Sequence, residues 1–189
     1  MRLFVGVEIS ADVAAALATL IERLRQRAVT LAPDSRMTWV TPERLHVTVR
    51  FIGHVDEAKA GAIIATLQAP FAGGGFRLTV GGLGTFPPKG PPRVVWAGLI
   101  EGVEKLKVLE AAVSERLARA GIDREDRPYS PHITLARVRE AAGLRSIALL
   151  EDVGDVAAGS MHVDAITLFE SRLSPKGPTY VAVQRTALT

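Results

Sequence analysis

Two strand-like runs 86 residues apart carry one tetrapeptide pattern, a histidine followed two places later by a threonine, with aliphatic residues in the other two places: His46-Val47-Thr48-Val49 and His132-Ile133-Thr134-Leu135. The runs, 45–52 and 131–138, have the alternation and β-branched content of strands, in which side chains at i and i+2 share a face. His and Thr therefore point one way from each strand and the aliphatics point into a core. Each motif strand also follows a strand–helix pair, 3–28 before the first and 93–120 before the second. Duplication into two similar lobes is the simplest account of both observations, with a cleft between the lobes and one motif supplied by each wall.

A histidine moves protons near neutral pH, and a threonine hydroxyl can hydrogen-bond a phosphoryl oxygen. Two such pairs facing across one phosphorus suit an in-line displacement, with a base on one side and an acid on the other. A single His-x-Thr is weak evidence, but the chain has only four histidines and two of them fall in the repeated pattern. The others, His54 and His162, read as solvated or structural residues. There are no cysteines, which removes disulfides, thiolate nucleophiles and cysteine-zinc sites and makes the cytoplasm the default location. No His-Glu-x-x-His or carboxylate cluster supports a zinc site, so no metal and no cofactor are expected.

With 189 residues, 48% of them hydrophobic, the chain can bury a full core. No apolar run approaches the length of a membrane span, and the first, Leu3 to Ile9, contains Glu8 and reads as a strand rather than a signal peptide. The net charge of +3 is modest, yet 18 of the 23 basic residues are arginine, whose planar fork matches phosphate oxygens. An arginine-favouring codon usage would give the same excess. Periodicity predicts strand 2–9, helix 11–28, strands 37–40 and 45–52, helix 56–69, strands 76–83 and 93–100, helix 102–120, strand 131–138, helix 140–150, and strands 161–170 and 179–187. Ser10 is placed to cap the first helix, Val13, Leu17, Leu20, Ile21 and Leu24 form its apolar stripe, and Gly121 sits where a helix C-cap belongs. The Gly- and Pro-rich stretch 81–92 reads as an ordered crossover loop between the halves. It is neither GxGxxG nor a Walker A sequence, so nucleotide triphosphate binding is unsupported.

At these residues the chain resembles the 2H phosphoesterase superfamily, and within it the bacterial and archaeal RNA 2′,3′-cyclic phosphodiesterases once called 2′-5′ RNA ligases. Besides the motifs, the segments 2–5, 45–53, 84–87, 93–98 and 131–137 are similar to family segments, in order. The resemblance implies an α+β, bilobal duplicated fold: two antiparallel sheets with outer helices, related by a pseudo-two-fold, in one domain of two intertwined lobes. Alternating strands and helices would by themselves suggest parallel βαβ units. The reaction implied is metal-independent hydrolysis of an RNA-terminal 2′,3′-cyclic phosphate to a 2′-phosphate. His46 is then the proton donor and His132 the proton acceptor, with Thr48 and Thr134 on the non-bridging oxygens. ATP-independent 2′-5′ joining of tRNA halves is an alternative main reaction, and a non-catalytic RNA-end binding module is an alternative of another class.

Four further residues are candidate substrate contacts. Arg50 and Arg137 follow their threonines by two and three places, and strand parity favours Arg50, which alternates onto the face of His46 and Thr48. Tyr129 and Phe86 are candidates to stack a terminal base, with Lys89 at the cleft edge, whereas Phe51 has the parity of the core. The expected partner is an RNA 3′ end bearing a cyclic phosphate, with tRNA halves as one source, and the default state is a monomer with no membrane association.

Overall fold

The first strand, β1 (Arg2–Glu8), buries both its faces: Leu3, Phe4, Val5 and Val7 are each no more than 4% exposed. Such a strand needs cover on two sides and neighbours on both edges, and it has them. In the computed structural model, which describes residues 1–151, 153, 156–174 and 177–189, β1 lies between β3 (His46–His54) and β8 (Ala165–Ser174), antiparallel to both. The remaining strands are β2 (Arg36–Trp39), β4 (Phe76–Phe86), β5 (Val94–Glu101), β6 (Ile133–Glu140), β7 (Ala157–Val163) and β9 (Gly177–Ala187). Their order is β7-β4-β5-β6-β3-β1-β8-β9, with β2 on β6, and every strand pairing is antiparallel.

Two antiparallel sheets were expected, and they are joined into one nine-stranded sheet. The junction is slight: β3 and β6, the motif strands, share the single pair Val47↔Ile133. Beyond it the two strands share no ladder partner among the described residues, and a cavity lined by side chains of both motif strands opens there.

The helices explain why strand–helix alternation does not produce parallel βαβ units. Helix α1 (Ala11–Leu31) leaves β1 but packs on β7 and β6, beside α4 (Ser146–Leu150). Helix α3 (Val103–Arg119) leaves β5 but packs on β3, beside α2 (Glu57–Leu67). Each long helix thus covers the half from which it did not start, and the next strand is free to turn back antiparallel. The stripe on α1 is buried as expected. Ser10 occupies the N-cap position without a capping hydrogen bond, whereas Asp56 caps α2 through the Lys59 amide at 2.7 Å. Gly121 closes α3 in a left-handed conformation (φ 71°), with Gly121 N–H donating to Ala118 O and Ile122 N–H to Leu117 O.

Three expectations change. The run 161–170 is two strands, because Asp164 ends β7 on β4 and the chain then crosses to pair β8 with β1. Helix 140–150 shrinks to α4: β6 runs on to Glu140 to pair with Arg36, and Ala142 at φ 44° breaks the chain before a helix can begin. Finally, 81–92 is not a crossover between halves. It is the end of β4 and the hairpin to β5, closed by Arg93 N–H donating to Phe86 O. Gly84 is required there because a Cβ would lie 2.1 Å from the Trp96 ring.

A candidate active site between two histidine strands

His46 and His132 are held by the same local device. The Nδ1 of His46 is 2.8 Å from Arg44 O, and that of His132 is 2.8 Å from Ser130 O. Only an N–H can donate to a carbonyl, so in both rings Nδ1 carries the hydrogen and Nε2 is left to work in the cleft. His46 Nε2 lies 3.0 Å from Thr48 Oγ1. His132 Nε2 has no hydrogen-bond partner among the described residues. The His46 ring sits among Phe4 at 4.8 Å and Tyr180 at 5.1 Å, drawn from β1 and β9, and the His132 ring meets Phe86 edge-on at 5.2 Å with Trp96 beyond.

Both rings are held below the ordinary histidine range. For His46 the chief cause is burial, with the charges of Arg137 and His132 acting the same way and the hydrogen bond to Arg44 O opposing. For His132 burial again leads, Arg137 adds to it, and the bond to Ser130 O opposes.

Beyond the threonines both motif strands bulge, and this overturns the parity reading of the arginines. On β3, Gly6 pairs with Thr48 and Val5 with Arg50, so Val49 is extra. On β6, Trp96 pairs with Thr134 and Val95 with Ala136, so Leu135 is extra. Each extra residue flips the alternation. Arg50 is consequently turned to the core side, 4% exposed, with Nη1 on Glu125 at 2.7 Å and Nη2 on Asp123 O. Phe51 is turned outward, 45% exposed. On the other strand Ala136 takes the buried place of Arg50, and Arg137 takes the open place of Phe51. Of the two, Arg137 is therefore the one that reaches the cleft, where Arg2 and Arg44 line the same cavity, and Arg50 ties down the loop before the second motif. The second motif held the clue, since alanine suits a core and arginine a cleft.

Two cavities meet at Thr48. One of about 560 Å³ contains His46, Thr48, Thr134, Arg137 and Tyr180. The other, of about 410 Å³, contains His132, Thr48, Phe86, Tyr129 and Arg127. Phe51 lines both. The structure thus brings together His46, His132, Thr48, Thr134, Arg137 and Phe86. Tyr129 lines the second cavity, but its hydroxyl donates to Thr48 O at 3.0 Å and its pKa is raised by burial and by Glu110, so it acts as a strut between motifs. Sequence reasoning missed Phe4, Trp96 and Tyr180, which no spacing ties to the histidines. A cavity of about 840 Å³, bounded by His54, Lys59 and Arg119, contains neither motif histidine. His162 lies in β7 opposite Arg77, away from the cleft.

The family model described as the 2′-5′ RNA ligase superfamily matches residues 10–174. The chain belongs to that superfamily. It is 39% identical over 148 residues to the RNA 2′,3′-cyclic phosphodiesterase of Aeropyrum pernix, covering 76% of this chain and 82% of that protein. A crystal structure from Thermus thermophilus superposes with a TM-score of 0.74 at 32% identity, over 99% of this chain and 97% of the other. Escherichia coli LigT complexed with 3′-AMP gives a TM-score of 0.68 at 27% identity, over 100% and 98%. Among the described residues of this superfamily member, no helix is long and apolar enough to cross a membrane, and no three His, Cys, Asp or Glu side chains group as metal ligands.

Proposed function

We propose that the chain hydrolyses RNA-terminal 2′,3′-cyclic phosphates to 2′-phosphates by two-histidine acid–base catalysis, acting as a monomer in the cytoplasm, its two intertwined lobes forming one domain. The observation that carries this reading is the pair of rings with Nδ1 pinned to carbonyls and Nε2 left to one cleft. The names of the relatives support the substrate.

His46 Nε2–H donates a proton to the departing O3′, and His132 Nε2 accepts the proton of the attacking water. The unpartnered Nε2 of His132 suits it to accept. Each such group is worth about 10²–10⁴ in rate. Thr48 and Thr134 hydrogen-bond the non-bridging oxygens, and Arg137 balances the charge that builds there in the transition state. RNA 3′ ends are the partner, tRNA halves among them.

The test is an EDTA-treated assay on a short RNA ending in a 2′,3′-cyclic phosphate, separating 2′- from 3′-phosphate products. The expected product is the 2′-phosphate, lost in His46→Ala and in His132→Ala while both variants stay folded. A 3′-phosphate product, or activity retained in both variants, refutes the mechanism. Binding without turnover in the wild type supports an RNA-end binding module instead.

A further inference from the structure

We infer that the wall of the His46 cavity formed by Arg44, Ser171 and Tyr180 is a second phosphate subsite, which takes the phosphodiester on the 5′ side of the terminal nucleotide and so distinguishes an RNA end from a free nucleoside cyclic phosphate. This rests on the cyclic-phosphate reading above and adds a second point at which the substrate is held.

Charge sets the requirement. The cavity of about 560 Å³ is lined by Arg2, Arg44 and Arg137 and, among the described residues, by no Asp or Glu. A cyclic phosphodiester brings a single negative charge, and Arg137, beside Thr134, meets it. That leaves two guanidinium groups without a carboxylate in the cavity, an arrangement that favours a further anion.

The two differ in what else they touch. Arg2 lies over the Phe51 ring at 5.3 Å, a contact that partly satisfies its charge. Arg44 has only neutral hydrogen-bond partners: Nε donates to Thr41 Oγ1 at 3.0 Å and Nη1 to Pro178 O at 3.2 Å, while Nη2 has none among the described residues. Glu43 beside it is exposed and lies outside the cavity, so water screens its pull on Arg44. Half-buried and fixed through two nitrogens, Arg44 is oriented in advance, and its remaining N–H groups suit the oxygens of a phosphate.

The wall also lies where the RNA must continue. Across the sheet the strands run β6, β3, β1, β8, β9. The reacting phosphate sits between Thr134 on β6 and Thr48 on β3. Ser171 on β8 pairs with Tyr180 on β9, and both stand on the far side of His46 from Thr134. In an in-line displacement O3′ departs on the His46 side, so the ribose that carries it lies there, and the chain continues from its C5′ into that end of the cavity. The hydroxyls of Ser171 and Tyr180 have no hydrogen-bond partner among the described residues and can donate to the same phosphate as Arg44.

The experiment compares kcat/KM for substrates that share one terminal group: adenosine 2′,3′-cyclic phosphate, a diadenosine dinucleotide ending in that cyclic phosphate, and the same dinucleotide with a neutral methylphosphonate as its internal linkage. The last keeps the extra nucleoside and removes only the charge. The wild type should prefer the phosphodiester to the methylphosphonate about 10- to 100-fold, as for one charge-assisted contact, and less so at high salt. Arg44→Gln should remove most of that preference, and Arg44→Lys, a charge without the fork, should restore part of it. The ratio is taken within one enzyme, so a loss common to both substrates cancels, and the wild-type comparison needs no variant. Equal kcat/KM for the two dinucleotides in the wild type overturns the subsite. So does a wild-type ratio retained by Arg44→Gln, or a ratio that falls only in Arg2→Gln. Turnover of none of the substrates by the wild type removes the cyclic-phosphate reading itself, and the subsite with it.

Discussion

Arg50→Met and Arg137→Met should have opposite consequences, and the pair tests whether the bulges at Val49 and Leu135 place these arginines as described. Arg50 is 4% exposed and makes two charge-assisted contacts, to the Glu125 carboxylate and to Asp123 O. Bonds of that kind contribute about 1.5–3 kcal/mol each. The Glu125 side chain is 58% exposed, so its share is heavily discounted for solvent screening. Methionine also removes a buried cation whose Nε has no partner, which offsets part of the loss. The net is about 1–3 kcal/mol, or a fall in Tm of roughly 3–10 °C for a chain of this size. Activity of the folded Arg50→Met enzyme should stay within about threefold, since the side chain lies on the far side of the strand from the reacting groups. Arg137 is exposed in the cleft, so its loss should leave Tm within about 1–2 °C and lower kcat by about 10²-fold, as for removal of one transition-state charge contact. Differential scanning calorimetry and initial rates on a fluorogenic cyclic-phosphate substrate read both quantities. An inactive Arg50→Met at unchanged Tm beside an active Arg137→Met would restore simple alternation and refute the bulge argument.

Three further outcomes follow from the same geometry. Because both histidines lie below the ordinary value of about 6.5, kcat/KM should peak on the acid side of that value: it falls at higher pH as His46 loses its proton and at lower pH as His132 gains one. Arg137→Met removes a charge that depresses both rings, so the whole profile should move to higher pH; a wild-type maximum above pH 7 contradicts this. Tyr129→Phe deletes the 3.0 Å strut to Thr48 O and should cost about 1 kcal/mol in chemical denaturation, with kcat falling more than KM changes; an unchanged midpoint would mean that the strut is idle. Gly84→Ala sets a methyl group against the Trp96 indole and should cost about 1–3 kcal/mol; a neutral change would show that the hairpin can shift.

The sequence revealed what periodicity and composition control. The strand character of both motifs, the stripe on α1 and the Gly121 cap were readable because each depends on residues a few places apart, and the facing of both His-x-Thr pairs on one cleft was readable from the repetition of the motif. The α+β fold and antiparallel pairing came with the family resemblance, not from local pattern. What escaped was set by partners distant in sequence. The bulges exist because β1 and β5 each present one residue against two, and counting along β3 or β6 alone cannot reveal that. Alternation runs unbroken through Asp164, although the chain changes halves there. The rings around His46 come from Phe4 and Tyr180, and neither stands in a pattern with the other.

The exchange of helices between halves has a consequence for how such a chain is made. A nascent chain that has reached α2 already carries His46 and Thr48, but its β3 lacks the cover of α3, and the apolar stripe of α1 lacks β7. Tyr180, which stands beside His46, is later still. A chain that stops at α2 therefore bears one of the two motifs without the elements that cover its strand, and one that stops after β6 bears both motifs but lacks Tyr180 beside His46.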